Sequence, residues 1–298
     1  MSQSRRSFIK TIGATAVASA TMQKVPAIDQ IQRRNGAHMK LSLAAYSFRD
    51  YLKGPKRSMT IEDFIDLCAQ NNLDGTELTS YYFPDPVTPE YCHQLRRRAF
   101  LLGLEISGTP VGNTFTYPPG PQLEKEIEHV KQWVNYAVEL GAPVIRIFAG
   151  NLQKGTTEDQ ARRWCVEAIE RCCDYAGQKG VVLALENHGG IVATAEQVLS
   201  IVRAVKSEWF GINWDSGNFR GPDPYEELAK IAPYAVTVQL KTEASPNGKK
   251  QEADLGRVIG ILKSAGYRGF VALEYEAKED PKSAVPRYLK EIRRLIES

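Results

Sequence analysis

Several features that mark common functional classes are missing from this chain of 298 residues. Its five cysteines, Cys68, Cys92, Cys165, Cys172 and Cys173, are odd in number and show no C-x-x-C spacing. That argues against a disulfide framework and against a zinc ribbon. Four of the five lie in apolar-periodic stretches, where a buried thiol packs as a small hydrophobe. No G-x-G-x-x-G and no G-x-x-x-x-G-K-[ST] occurs, so the two commonest phosphate-cradling loops are absent. Histidine is scarce: His38, His93, His129 and His188 are the full set. The apolar run near the start, Thr11–Ala20, is shorter than the roughly 20 residues of a membrane-spanning helix.

The chain also lacks a charge excess of one sign where a nucleic-acid surface would need it. Thirty-eight Lys and Arg stand against 35 Asp and Glu, a formal +3. Residues 1–20 hold Arg5, Arg6 and Lys10 and no acid, and from Leu41 onward acids outnumber bases by 34 to 31. Phosphate-backbone affinity requires a concentrated positive surface, so no nucleic-acid partner is expected.

The start of the chain reads as an address. Ser4-Arg5-Arg6-Ser7-Phe8-Ile9-Lys10 precedes the short apolar run, which ends in Ala18-Ser19-Ala20, an A-x-A cleavage pattern. The arginine pair resembles a twin-arginine export signal. It implies the twin-arginine machinery as a partner and a periplasmic or surface location, with residues 21–40 as a polar linker excluded from the fold.

From Leu41 a pattern repeats eight times. Short apolar runs occur at 41–46, 74–78, 104–108, 143–149, 181–186, 209–215, 235–240 and 269–275. Between them lie helical stripes, such as Ile127, Val130, Trp133, Val134 and Ala137, or Cys165, Ala168, Ile169, Cys172 and Cys173. Thr194 to Gln197 reads as a capping box. Gly103, Gly141, Gly180 and Gly266 each follow a helical stretch, as a C-cap glycine does. Eight β-then-α units over residues 41–298 predict an α/β protein with a single (β/α)₈ TIM barrel. The loops at 79–88 and 109–121 follow strands and are placed over the barrel mouth.

Alternate residues of a barrel strand point inward. Strands five and eight share an Ala-Leu-Glu ending, so Glu186 and Glu274 face the mouth. Asp215 closes strand six, Gln239 and Lys241 share the inward side of strand seven, Glu77 ends strand two, and Arg146 lies on strand four. Carboxylates crowded this way repel one another unless something positive lies between them. A divalent cation held by Glu186, Asp215, Gln239 and Glu274 resolves this, and an all-oxygen ligand set favours Mn²⁺ or Mg²⁺ over Zn²⁺. Glu77, Arg146, His188, Asn218 and Lys241 are candidate substrate contacts, and Tyr46, Phe115, Trp214 and Tyr275 candidate aromatic walls.

Leu185-Glu186-Asn187-His188, Asp215-Ser-Gly-Asn218, Gln239-Leu-Lys241 and Leu273-Glu274-Tyr275-Glu276, in this order, resemble the xylose-isomerase-like TIM-barrel family of sugar phosphate isomerases/epimerases. The resemblance covers about residues 40–298. It implies one divalent metal on Glu186, Asp215, Gln239 and Glu274, with Glu186 and Glu274 as the catalytic acid/base pair. Two positions depart from the family: Gln239 stands for a histidine ligand, and Asn218 for a frequent second histidine. The missing histidines speak against the endonuclease IV branch, which depends on a histidine-rich zinc cluster.

The resemblance implies an isomerase or epimerase of a sugar or glycoside, working through an enediolate. A lyase, either a dehydratase or a 3-keto-glycoside eliminase, and a non-catalytic carbohydrate-binding barrel are the alternatives. The sequence is compatible with a homo-oligomer.

Overall fold

The structure is a computed structural model and describes residues 28–54 and 57–298. Among them eight parallel strands form one sheet: His38–Ala44, Gly75–Glu77, Glu105–Gly108, Val144–Ile147, Val182–Glu186, Phe210–Asp215, Ala235–Leu240 and Arg268–Leu273. They are strands one to eight below. Their hydrogen-bonded order is three, two, one, eight, seven, six, five, four. The first and last strands pair from His38 against Arg268 to Leu43 against Leu273. Strands three and four complete the circle through the loop after strand three. There the Thr109 N–H donates to Val144 O at 3.1 Å and the Val111 N–H to Arg146 O at 3.0 Å. This is the expected TIM barrel.

A helix follows every strand: Ile61–Gln70, Pro89–Leu101, Pro121–Leu140, Glu158–Gln178, Ala195–Val202, Pro224–Ile231, Leu255–Ser264 and Pro281–Glu297. Their starts are chemically explicit. Thr60, Thr157 and Thr194 each accept from the backbone N–H three residues on, while Asp63, Gln160 and Gln197 reach back. Proline opens four of the others, where its missing N–H costs nothing. Gly141 ends its helix at φ 73°, a left-handed conformation that glycine adopts without a Cβ penalty.

The inner helix faces and the outer barrel face share one core. Ile127, Val130 and Val134 are fully buried, and burying each such side chain is worth about 1.5–3 kcal/mol. All five cysteines are free and buried within this layer. Burial pushes the Cys68 thiol up to about 12, in keeping with a cysteine that packs as a small hydrophobe.

The barrel interior differs in character. Ser42 and Ser107 share a hydrogen bond of 2.8 Å, and Ala184 and Ala272 are buried nearby on strands five and eight. Small and polar residues stand where large aliphatic ones commonly fill a barrel. The space takes the longer side chains of Glu77, Asn213 and Gln239.

Strand one begins at His38, inside the segment expected to be a linker. Residues before it are also tied to the barrel. The Ile31 N–H donates to Pro233 O at 3.1 Å, Arg33 bonds Ala235 O and covers the Tyr267 ring, and Arg268 donates to Gly36 O at 3.1 Å. The segment therefore laces the N-terminal ends of strands seven and eight. The export-signal reading of residues 1–20 lies outside the described residues.

Candidate active site

The strand parity expected from the sequence brings Glu186, Asp215, Gln239, Lys241 and Glu274 together with Arg146 at the C-terminal end of the barrel. All six are buried. Local bonds set their positions. Asn187 clasps the end of strand six: its Oδ1 accepts from the Asp215 N–H at 2.9 Å, and its Nδ2 donates to Asp215 O at 3.0 Å. Ser216 Oγ accepts from the Lys241 N–H at 2.8 Å, which fixes the start of the lysine side chain.

The charges fall into two groups. In the first, Arg146 Nε lies 2.8 Å from Glu186 Oε2, in ion-pair contact but off the hydrogen-bond angle. The same guanidinium donates to Val111 O at 2.6 Å. It also stacks on the Phe148 ring, 3.9 Å from its centroid, and His188 packs against that ring at 4.5 Å. In the second group, Lys241 Nζ lies 3.1 Å from Glu276, 3.3 Å from Asp215 and 3.4 Å from Glu274. Asn218 joins the groups: its Nδ2 donates to Glu186 Oε1 at 2.8 Å and its Oδ1 accepts from Lys241 at 3.4 Å.

Beneath them runs a cross-barrel relay. The Asn213 amide donates to Gln239 Oε1, and Gln239 Nε2 donates to Glu77 Oε1, both at 2.7 Å. Glu77 thus forms part of the floor, hydrogen-bonded across the barrel axis.

Burial dominates the proton chemistry. It raises Glu186 toward neutrality against the pull of Arg146, and raises Glu274 and Asp215 against the pull of Lys241. Burial and then the Glu274 charge push Glu77 up to about 8, despite the Gln239 hydrogen bond and Arg146. A buried ammonium alone would lose its proton. The carboxylates of Asp215, Glu274, Glu276 and Glu186 reverse that and hold Lys241 well above its ordinary value. Partial burial, then the charges of Lys241 and Arg146, lower His188 and keep it neutral.

The expected metal ligands do not fit a divalent ion as they are arranged. Gln239 turns its oxygen to Asn213 and its NH₂ to Glu77. Glu186 is engaged by Arg146 and Asn218. Asp215 and Glu274 face an ammonium. Among the described residues, no three His, Cys, Asp or Glu side chains gather as a metal cage.

Three expected aromatic walls lie elsewhere. Trp214 faces the helix layer, its indole N–H donating to Leu228 O at 2.9 Å. Tyr275 packs on Tyr288 of the last helix, and Phe115 is fully buried in the core. Tyr46 does stand at the mouth, edge-on to Tyr81. Arg146 donates to the Tyr81 hydroxyl at 3.5 Å. Sequence reasoning gave no role to Glu276, Asn213 or Asn187. The two-residue spacing of Glu276 from Glu274, and of Asn213 from Asp215, carried that signal. His38 lies in strand one, and His93 is exposed and paired with Glu139.

Known proteins share this architecture. A human protein with a provisional assignment as hydroxypyruvate isomerase is 24% identical over 230 residues, 69% of this chain and 81% of its own length. The solved structure of the IolI protein with a bound zinc atom superposes with a TM-score of 0.69 at 19% identity, covering 86% of this chain and 96% of that one. D-psicose 3-epimerase from Clostridium cellulolyticum H10, solved with D-tagatose, gives 0.68 at 14% identity, covering 87% and 97%. At those identities the structural likeness establishes the fold. The family profile itself matches residues 65–297, and this chain belongs to the xylose isomerase-like TIM barrel family.

Proposed function

We propose that this chain is an isomerase or epimerase of a sugar or sugar derivative, with Glu186 and Glu274 as its acid/base pair. One observation carries the reading. Two buried glutamates, from strands five and eight, reach the same mouth, each beside a cation and each raised toward neutral pKa. Carboxyls poised near the working pH can accept and return protons, which is typically worth about 10²–10⁴-fold.

In the proposed reaction one glutamate, as carboxylate, removes the proton α to a sugar carbonyl. The C–H electron pair becomes the C=C of an enediolate, and the carbonyl oxygen takes the negative charge. The other glutamate, as carboxylic acid, returns a proton to the opposite face. Tyr46 and Tyr81 offer apolar ring surface to the sugar, and neutral His188 can donate to a hydroxyl. The relatives' sugars support this substrate class. The Mn²⁺ or Mg²⁺ implied by the sequence resemblance has no part in this reading, because the donor set does not fit it.

The test is NMR of the purified protein with a panel of ketoses and 3-keto-glycosides in D₂O. Solvent deuterium appearing at the carbon α to the carbonyl, without loss of a group, is the expected result. Exchange coupled to release of water or an aglycone would replace this reading with a lyase, and no exchange with any of them would contradict it. We propose further that Arg5-Arg6 and Ala18-Ser19-Ala20 direct export. The pair Arg5→Lys and Arg6→Lys should then leave the precursor uncleaved in the cytoplasm.

A further inference from the structure

The sugar isomerase reading leaves the oxyanion of the enediolate without a stabilising charge, and the structure holds a cation at the point where the carboxylates converge. We propose that Lys241 is the resident cation of this site, standing in place of a divalent metal and making the site metal-independent. This rests on the functional reading for its chemistry, but not for its geometry.

Three observations carry it. First, a single Nζ lies within 3.1–3.4 Å of Asp215, Glu274 and Glu276, and two of these are residues that would otherwise hold a metal. Second, the remaining two ligands of that set are engaged elsewhere, Glu186 by Arg146 and Gln239 by Asn213 and Glu77. Third, the backbone is shaped for the lysine. A Cβ at Gly217 would lie 2.7 Å from Lys241 Cδ and 2.9 Å from Glu243 O, so only glycine leaves room for the stem. The Gly217 N–H also donates to Asp215 Oδ1 at 2.8 Å, which holds that carboxylate in place.

An ammonium supplies one positive charge and three hydrogen-bond donors on a flexible stem. It can place one donor on a carbonyl oxygen that is gaining charge while the others stay on carboxylates. A Lewis-acid metal does this with a larger charge and needs open coordination positions. With Lys241 in the centre, a divalent cation and the ammonium would compete for the same oxygens and repel one another.

Metal binding tests this without reference to turnover. Thermal melting and calorimetric titration of the wild type with Mn²⁺ and Zn²⁺ should show no stoichiometric binding at micromolar metal. Lys241→Met removes the cation and leaves Asp215, Glu274 and Glu276 uncompensated. It should gain one Mn²⁺ site, seen as a melting temperature that rises with Mn²⁺. Lys241→Ala serves if the methionine variant does not fold, and Gly217→Ala, which crowds the stem, should gain weaker Mn²⁺ binding. Stoichiometric micromolar Mn²⁺ or Zn²⁺ binding by the wild type would overturn the proposal. So would foldable Lys241 variants that bind no metal. A wild type that neither binds metal nor exchanges protons on any ketose would refute the isomerase reading and leave the assignment of Lys241 standing.

Discussion

The same three residues, Ala-Leu-Glu, close strand five and run one residue past the end of strand eight, yet their glutamates meet different cations. Glu186 faces a planar guanidinium that is itself pinned by Val111 O, Phe148 and Tyr81. Glu274 faces an ammonium that it shares with Asp215 and Glu276. The first arrangement is a fixed pair, since Arg146 donates through a rigid fork and stays charged. The second is a shared point charge, whose donors can be redistributed when a ligand oxygen arrives. Identical tripeptides therefore give two chemically distinct carboxyls, the asymmetry that an acid/base pair working on opposite faces of a sugar needs. Asn218, bonded to Glu186 and to Lys241, ties the two sides together.

The comparison can be broken most severely at the glutamates. Glu274→Gln and Glu186→Gln should each lower epimer interconversion by about 10²–10⁴-fold, while circular dichroism and melting stay close to wild type. Full activity in either would remove that residue from the pair. Next in size is Arg146→Met, which leaves Glu186 buried without its partner. Breaking one side of a buried pair costs about 3–5 kcal/mol, so denaturant unfolding should show a loss of that order. The Arg146→Met/Glu186→Leu double variant should recover much of it.

Glu77 gives a smaller effect with a defined sign. Its pKa is about 8 in the folded chain against an ordinary 4.5, so folding favours its protonated form. That contribution is complete below pH 4.5 and is lost as pH rises through about 8. Glu77→Gln keeps an acceptor for Gln239 and carries no charge. Its melting temperature should match the wild type near pH 4 and exceed it above pH 8. Since each kcal/mol moves the midpoint of such a domain by about 2–4 °C, the gap should reach several degrees. A gap that is constant with pH would contradict the buried, proton-bearing floor. The smallest effect is expected for Asn218→Ala. Losing the link should cost about 1 kcal/mol and shift the pH–activity profile, because Glu186 and Lys241 would no longer share a partner.

Much of this arrangement was legible before the structure. Barrel parity alone put Glu186, Glu274, Asp215, Gln239, Lys241 and Arg146 on the inside, because alternation along a strand depends on backbone geometry and little else. Pairing was not legible. Whether Lys241 or a metal lies between Asp215 and Glu274 depends on the room left by Gly217, a residue on another strand's loop. Whether Gln239 is a ligand depends on Asn213 and Glu77, which reach it from neighbouring and facing strands. Trp214, a candidate sugar wall in the sequence, lies between the inward-facing Asn213 and Asp215. Strict alternation already turned it to the helices, where Leu228 O accepts its N–H. The apolar run opens at Leu41, whereas strand one opens three residues earlier, with His38-Met-Lys40, which is polar at both ends. Those residues are strand because they pair with strand eight.

The asymmetry of the two glutamates is tested most directly by stereospecific deuterium exchange. Wild type, Glu186→Gln and Glu274→Gln would each be incubated in D₂O with both epimers of a ketose that the wild type interconverts. The account predicts that the wild type labels both epimers, and that each variant still labels one epimer, a different one for each, while interconversion is lost. If either variant labels both epimers at the wild-type rate, or both variants label the same one, the two carboxyls do not act on opposite faces and the pairing proposed here is wrong.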